Sequence, residues 1–236
     1  RRSSDLQVLA CGVTGIYRST NAGQNWSKTS DSLFWDMKIT PGNPNIVYAA
    51  SGWVMSASIG SAGVWKSTDF GQTWSLLNTG IAPRNSAQRV RLGIAPTNTN
   101  YIYAITCDTQ GGLEGLYLST NAGATWNQQP FTDNVLEYGQ GQGTGGQGTY
   151  DLAFCVSDTS ENVIYTGGIN VWGSINAGVT YSPVTHWTYS YGNNTVHADV
   201  HSIDKQPGTK NYFVCTDGGL YKTRNIVLHD WNGNWP

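Results

Sequence analysis

One eight-residue phrase is written four times along this chain: Ser19-Thr-Asn21-Ala-Gly23-Gln-Asn-Trp26, Ser67-Thr-Asp69-Phe-Gly71-Gln-Thr-Trp74, Ser119-Thr-Asn121-Ala-Gly123-Ala-Thr-Trp126 and the weaker Ser174-Ile-Asn176-Ala-Gly178-Val-Thr-Tyr181. The copies begin 48, 52 and 55 residues apart, about the length of one four-stranded propeller blade. A fifth, eroded copy stands at Tyr221-Lys-Thr223-Arg-Asn225. Periodicity of this kind constrains the fold before any residue propensity does.

The phrase has a mechanical meaning. An Asx side chain and a hydroxyl bond local backbone N–H groups, and the glycine supplies a positive φ, so the segment closes a hairpin. Gly-Ile16-Tyr17-Arg-Ser, Gly-Val64-Trp65-Lys-Ser and Gly-Leu116-Tyr117-Leu-Ser read as the strands that enter it, and the closing aromatic opens the next strand. The pattern S-x-[DN]-x-G-x-x-W resembles the Asp-box, or bacterial neuraminidase repeat, which occurs in sialidases, sortilin-type receptors, xyloglucan-cleaving glycoside hydrolases and secreted bacterial propellers. The resemblance implies a β-propeller. It also implies that the box residues are structural, because the box lies on hairpins remote from the ligand face in those families.

A second phrase alternates with the first. Ile39-Thr-Pro41-Gly-Asn-Pro44-Asn-Ile-Val-Tyr48 and Ile94-Ala-Pro96-Thr-Asn-Thr-Asn-Tyr-Ile-Tyr103 each read as strand, Pro/Asn/Gly turn, strand, and the pattern decays through Phe154–Tyr165 and Ile203–Phe213. One period is therefore four strands: A before the Pro turn, B after it, C before the box and D after the box. The expected architecture is a single all-β propeller region of four-stranded antiparallel blades, at 1–30, 31–79, 80–130, 131–185 and 186–236. The first blade lacks its A strand. Five blades are visible, so the reading is a larger or incomplete ring.

Composition narrows the function classes. Net charge is −2 and charged residues make up 12% of the chain, which argues against a nucleic-acid partner or an anionic membrane surface. No apolar run reaches the roughly 20 residues of a membrane span, so direct membrane insertion is not expected. Arg1 stands where a Met start would, which suggests a processed or truncated N-terminus. The 29 glycines and the many Ser, Thr, Asn, Gln and Trp residues fit the loops and aromatic platforms of secreted or cell-surface carbohydrate-associated proteins. Cys11, Cys107, Cys155 and Cys215 show no C-x-x-C spacing and read as buried free thiols. No metal and no cofactor is expected.

Loop lengths pick out a face. The A–B turns and the box turns are short and alike, whereas the B–C and D–A loops vary. These emerge together on one side of the blades, which makes that side the expected binding mouth. Its variable segments are Ser51–Ala62, Thr106–Glu114, Gly80–Gln88, Gln129–Thr149 and Thr185–Thr195. The Gly/Gln tract 139–148 has almost no core-forming residue and reads as a mobile insertion.

Alignment of the A strands sets Asp36, Arg91, Asp151 and Val200 in one column at the mouth, and Trp35, Val90, Tyr150 and Asp199 in the next. Two readings are open for this ring of carboxylates and Arg. It is a hydrogen-bonded brace between blades, or a sugar site in which two carboxylates divide acid and base roles. His197-Ala-Asp199-Val-His201 would put three polar side chains on one face of a strand. The two His lie roughly 13 Å apart at that rise, too far to share one ion with Asp199, so a His/Asp relay is expected in place of a metal.

Thr216-Asp217-Gly-Gly-Leu-Tyr221 resembles a segment of xyloglucanase-like propellers in which a similar Asp can be catalytic. The catalytic candidates are thus Asp36, Asp151, Asp199 and Asp217. The ligand-binding candidates are Arg91, Tyr150, His197, His201, Trp53 and Trp187, whose aromatic faces can stack on sugars. A sialidase is disfavoured: the Arg-Ile-Pro phrase is absent, and Arg84, Arg89 and Arg91 cluster in one blade. The favoured function is a secreted or cell-surface propeller that binds a glycan or an extracellular protein alongside other domains of its parent chain. The alternative is a xyloglucanase-type glycoside hydrolase acting on β-glucan, and a sortilin-like peptide receptor is a third reading.

Overall fold

The computed structural model describes residues 6–52, 63–81, 87–188, 195–224 and 232–235. These form five antiparallel sheets and no helix. The first sheet has three strands, β1 (Val8–Gly12), β2 (Gly15–Ser19) and β3 (Ser27–Ser30). The second joins β4 (Phe34–Ile39), β5 (Val47–Ser51), β6 (Gly63–Ser67) and β7 (Ser75–Leu76), and the third joins β8 (Arg89–Ile94), β9 (Ile102–Cys107), β10 (Leu113–Ser119) and β11 (Asn127–Gln128). The fourth contains β12 (Ala153–Val156), β13 (Ile164–Gly167), β14 (Val171–Ser174) and β15 (Ser182–Pro183). The last contains β16 (Val200–Lys205), β17 (Tyr212–Thr216), β18 (Gly219–Thr223) and β19 (Asn232–Trp235). Each sheet is an up-and-down meander, and the inner strands pack in sequence, β1 on β4, β4 on β8, β8 on β12 and β12 on β16. This is an incomplete β-propeller.

The repeated phrase folds identically four times. The Ser hydroxyl donates to the Asx Oδ1 at 3.0, 2.7, 2.9 and 2.9 Å in Ser19, Ser67, Ser119 and Ser174. The same hydroxyl accepts from the glycine N–H of Gly23, Gly71, Gly123 and Gly178 at 2.7–2.9 Å. The Asx Oδ1 in turn accepts the N–H four residues on, at Asn25, Thr73, Thr125 and Thr180. Where the Asx is Asp69, hydrogen bonds from Thr73 bring its carboxyl down to about 2. The residue before each glycine is left-handed although it carries a side chain: Ala22, Phe70, Ala122 and Ala177 have φ of 59, 54, 56 and 60°. Such a conformation costs on the order of 1–2 kcal/mol, and the Ser-centred bonds offset it.

The turn also makes the seams between blades. A Cβ on Gly71, Gly123 or Gly178 would fall 2.6, 2.8 or 2.2 Å from a side-chain carbon of Leu9, Leu77 or Leu116 respectively, each in the preceding blade. The closing aromatic reaches the same way. Trp74 Nε1 donates to Thr29 Oγ1 (3.2 Å) and Trp126 Nε1 donates to the Leu77 carbonyl (2.9 Å). Four hydrophobic clusters fill the seams, from Ile16, Phe34 and Ala49 at the first to Tyr165, Val200 and Val214 at the last. Trp126 is 3% exposed, whereas Trp26, with no blade before it among the described residues, is 44% exposed.

The Gly/Gln tract 139–148 differs from the expected mobile insertion. Glu137 accepts from the Gly139 and Gly141 N–H groups, Asn134 Nδ2 donates to the Gly145 carbonyl (2.6 Å), and Gly148 N–H donates to the Gly111 carbonyl (2.8 Å). Polar backbone contacts, invisible to a hydrophobic-pattern reading, fasten the tract to the turn between β9 and β10. All four cysteines are free thiols. No helix of the described residues is long and apolar enough to cross a membrane.

The seam geometry predicts a contrast between two identical substitutions. Trp126→Ala should lower stability by about 3–5 kcal/mol, while Trp26→Ala should change it by less than about 1 kcal/mol. Urea unfolding of the two variants checks this, and equal losses would remove the seam role of the closing Trp.

Candidate functional site

The strands β12 and β16 and the β17–β18 turn all meet at the loop-variable mouth, and there they gather Tyr150, Asp151, Asp199, His201 and Asp217. His201 Nε2 donates to Asp217 Oδ1 at 2.7 Å, and the Tyr150 hydroxyl donates to the same carboxylate at 3.2 Å. The Tyr150 ring meets the His201 ring edge-on at 5.0 Å. These bonds, the His201 contact first and the Tyr150 contact after it, hold the Asp217 carboxyl below its ordinary value, and Asp217 raises the Tyr150 hydroxyl in return. Tyr150 is 54% exposed, so the triad presents an aromatic face and an ionised acceptor to solvent.

Behind it lies a carboxylate of opposite character. Asp151 is 0% exposed, and no other described residue donates a hydrogen bond to its oxygens; its carboxyl lies against that of Asp199. Burial, reinforced by the negative charge of Asp199, pushes its carboxyl up to about 8, although the Arg89 guanidinium pulls the other way. Asp151 therefore favours its neutral form at pH 7. Gln147 Nε2 donates to Asp199 Oδ1 at 2.9 Å and orients that neighbour.

His197, Asp199 and His201 do not share one strand face, contrary to the expectation from strand alternation. The strand β16 begins at Val200, and Asp199 has a φ of 66°, so the backbone reverses between the two histidines. The three side chains part company. His197 packs against Gly218 and sets its Nδ1 3.1 Å from the Ala198 carbonyl, Asp199 turns to Gln147, and His201 turns to Asp217.

The other ring candidates are inter-blade braces. Asp36 accepts the Leu92 N–H at 3.0 Å and the Met37 N–H at 2.9 Å. Arg91 donates through Nε to the Leu152 carbonyl (2.8 Å) and through Nη1 to the Trp35 carbonyl (3.0 Å), which ties three successive blades together. Arg89, not among the site candidates, does the same with the Thr149 and Tyr150 carbonyls and lies 5.1 Å from the Trp35 ring. Its guanidinium is lowered to about 10 by burial and by Arg91. Trp187 is 45% exposed and donates to the Tyr138 carbonyl at 3.2 Å. Trp53 and Arg84 lie outside the described residues. Gln147 sits in a low-complexity tract, and Arg89 in a column with no second charged residue, Phe34, Thr149 and Ala198 being its counterparts, so neither stands out in the sequence. Among the described residues no group of three His, Cys, Asp or Glu side chains is arranged to hold a metal ion.

With the site defined, comparison with known proteins gives a consistent picture. The sortilin-Vps10 family model, described as "Sortilin, neurotensin receptor 3", matches residues 14–168, well over half of the chain. Comparison with curated protein sequences gives no match. Among solved structures, the chain is similar to the GH74 xyloglucanase from Xanthomonas campestris at 17% identity and a TM-score of 0.67, over 96% of this chain and 36% of that one. It is similar to an ancestral GH74 enzyme at 18% identity and a TM-score of 0.64, over 94% of this chain and 29% of that one. A third is YCF48 from Cyanidioschyzon merolae, at 13% identity and a TM-score of 0.54, over 85% of this chain and 56% of that one. At such identities the likeness shows the propeller fold alone. The chain spans about a third of the length of the two GH74 structures.

The raised Asp151 carboxyl has a stability consequence. In the unfolded chain it releases its proton near 3.8, and in the folded chain near 8. The folded state therefore carries the extra proton between those values, and this group's contribution is complete below about pH 4 and declines as pH rises towards 8. The slope is at most about 1.4 kcal/mol per pH unit. Asp151→Asn should flatten it, which urea midpoints at pH 5 and pH 8 will read; parallel profiles for the two proteins would refute the burial argument.

Proposed function

This chain belongs to the sortilin-Vps10 family, and from that premise we propose that it is a propeller region of a larger secreted or cell-surface protein that binds a glycan at its loop-variable mouth. The observation that carries the proposal is the exposed Tyr150–Asp217–His201 triad. A sugar ring offers an apolar face and a fringe of hydroxyls. Tyr150 supplies the matching aromatic face, and Asp217, kept ionised by its two donors, has lone pairs left for sugar hydroxyl groups. Trp187 adds a second exposed ring on the same side.

A second reading, hydrolysis of a β-glucan, draws support from one feature. A raised, protonated Asp151 beside a second carboxyl, Asp199, provides the pair of acids that a glycoside hydrolase needs. The burial of Asp151 weighs against it, because a general acid must come within hydrogen-bond reach of the glycosidic oxygen. Asp151 is wholly enclosed by its own chain. Asp36, another catalytic candidate, is occupied by backbone N–H groups, and Asp217 by His201 and Tyr150. Binding is the function this arrangement supports best.

The test is a glycan array followed by titration of any hit, in parallel with turnover on a β-glucan panel that includes xyloglucan. Tyr150→Ala and Asp217→Ala should each weaken glycan binding by about tenfold or more, with no turnover in the parent chain. Turnover that disappears in Asp151→Asn would establish hydrolysis instead. Absence of both glycan binding and turnover would leave a protein ligand.

A further inference from the structure

On the side of the blades opposite the mouth, the turns between first and second strands bury a recurring tyrosine. Tyr48, Tyr103 and Tyr165 occupy the same register in successive blades, facing Lys38, Gly93 and Cys155 of the inner strands. At two seams the hydroxyl is capped by a later blade: Tyr48 donates to the Ala122 carbonyl at 3.0 Å and Tyr103 to the Glu161 carbonyl at 2.7 Å. At the third the pattern breaks. The Tyr165 hydroxyl has no hydrogen-bond partner among the described residues; its ring meets that of Tyr212 edge-on at 5.6 Å, and both line a cavity of about 240 Å³.

What surrounds the opening is basic. Lys205, Lys210 and Arg224 line it against one carboxylate, Asp158, in a chain whose net charge is −2. Lys205 is already engaged: it pairs with Asp158 and donates to the Thr209 carbonyl at 2.6 Å. Lys210 and Arg224 have no carboxylate partner among the described residues. Tyr165, Lys210 and Arg224 thus line one cavity, and among the described residues the Tyr165 hydroxyl has no hydrogen-bond partner and neither cation an ion pair.

We infer that this seam cavity is a binding site for a tetrahedral oxyanion, a sulfate or phosphate group carried by a small ligand. Two cations and a hydroxyl donor suit the several acceptor oxygens of such a group, and the guanidinium fork binds it through two parallel N–H bonds. At about 240 Å³ the space is smaller than a drug-sized pocket, which fits a free oxyanion or one ester-bearing sugar. The site is remote from the mouth and stands independently of the function proposed there.

The experiment is titration of the isotopically labelled chain, followed by amide NMR, with inorganic phosphate, inorganic sulfate, glucose 6-sulfate and unmodified glucose. Ionic strength is held constant with chloride, because surface electrostatics are screened by salt. The expected result is saturable shifts at Thr209, Lys210 and Tyr212 with phosphate, sulfate or the sulfate ester, and none with glucose. Tighter binding of glucose 6-sulfate than of inorganic sulfate would identify an ester as the ligand, and equal binding the free ion. The Lys210→Gln/Arg224→Gln variant, altered only at exposed side chains, should lose about tenfold or more in affinity while it keeps its melting temperature. Shifts that chloride reproduces, or an affinity unchanged in the double variant, would overturn the assignment.

Discussion

The hydroxyl of one serine per blade organises this molecule. By accepting the glycine N–H and donating to the Asx oxygen, it holds two consecutive residues in a left-handed conformation that the first of them, Ala or Phe, would not choose. That bend aims the glycine at a leucine and the closing aromatic at the outer strand of the blade before. Local hydrogen-bond chemistry thereby becomes long-range packing. The hydrophobic clusters lie between sheets, so without the turn neither blade would have a partner surface of the right shape.

The same logic explains why the mouth is free to vary. Loops there lie outside the repeated turn that shapes the seams, and many of their polar residues are available for one another. The structure sorts them into two kinds. Asp36, Arg89 and Arg91 spend their hydrogen-bonding capacity on carbonyls and N–H groups of neighbouring blades, while Tyr150, Asp217 and His201 bond mainly to one another and keep an open side. Such clusters of perturbed groups are common at functional sites, and also in structural networks; exposure is what separates the two kinds in this protein.

Much of the fold was legible in the sequence because its signal repeats. Period, strand order and the three-stranded first sheet follow from where Ser19, Ser67, Ser119 and Ser174 fall. The site was legible only as a column of positions. Asp151 and Asp36 occupy equivalent places in that column, yet one is a buried neutral acid set against another carboxyl and the other a brace bonded to backbone N–H groups. The difference arises from which backbone groups a neighbouring blade offers, and this is set by three-dimensional register. Strand alternation failed at His197 and Asp199 for a related reason: a single left-handed residue just before β16 cancels the period-two rule. The tract 139–148 was misread because its order comes from Glu137 and Asn134 bonding its backbone, and composition carries no trace of that.

Since each described blade touches only the blades beside it in sequence, the array behaves energetically as a one-dimensional chain of coupled units. Loss of one seam does not weaken the whole uniformly; it divides the array at that point into two independently melting halves. The seam between the fourth and fifth blades, where no described residue caps the Tyr165 hydroxyl and a cavity lies beside it, is the natural point for such a division. A small molecule lodged there would act as a rivet, coupling the unfolding of the last blade to that of the other four.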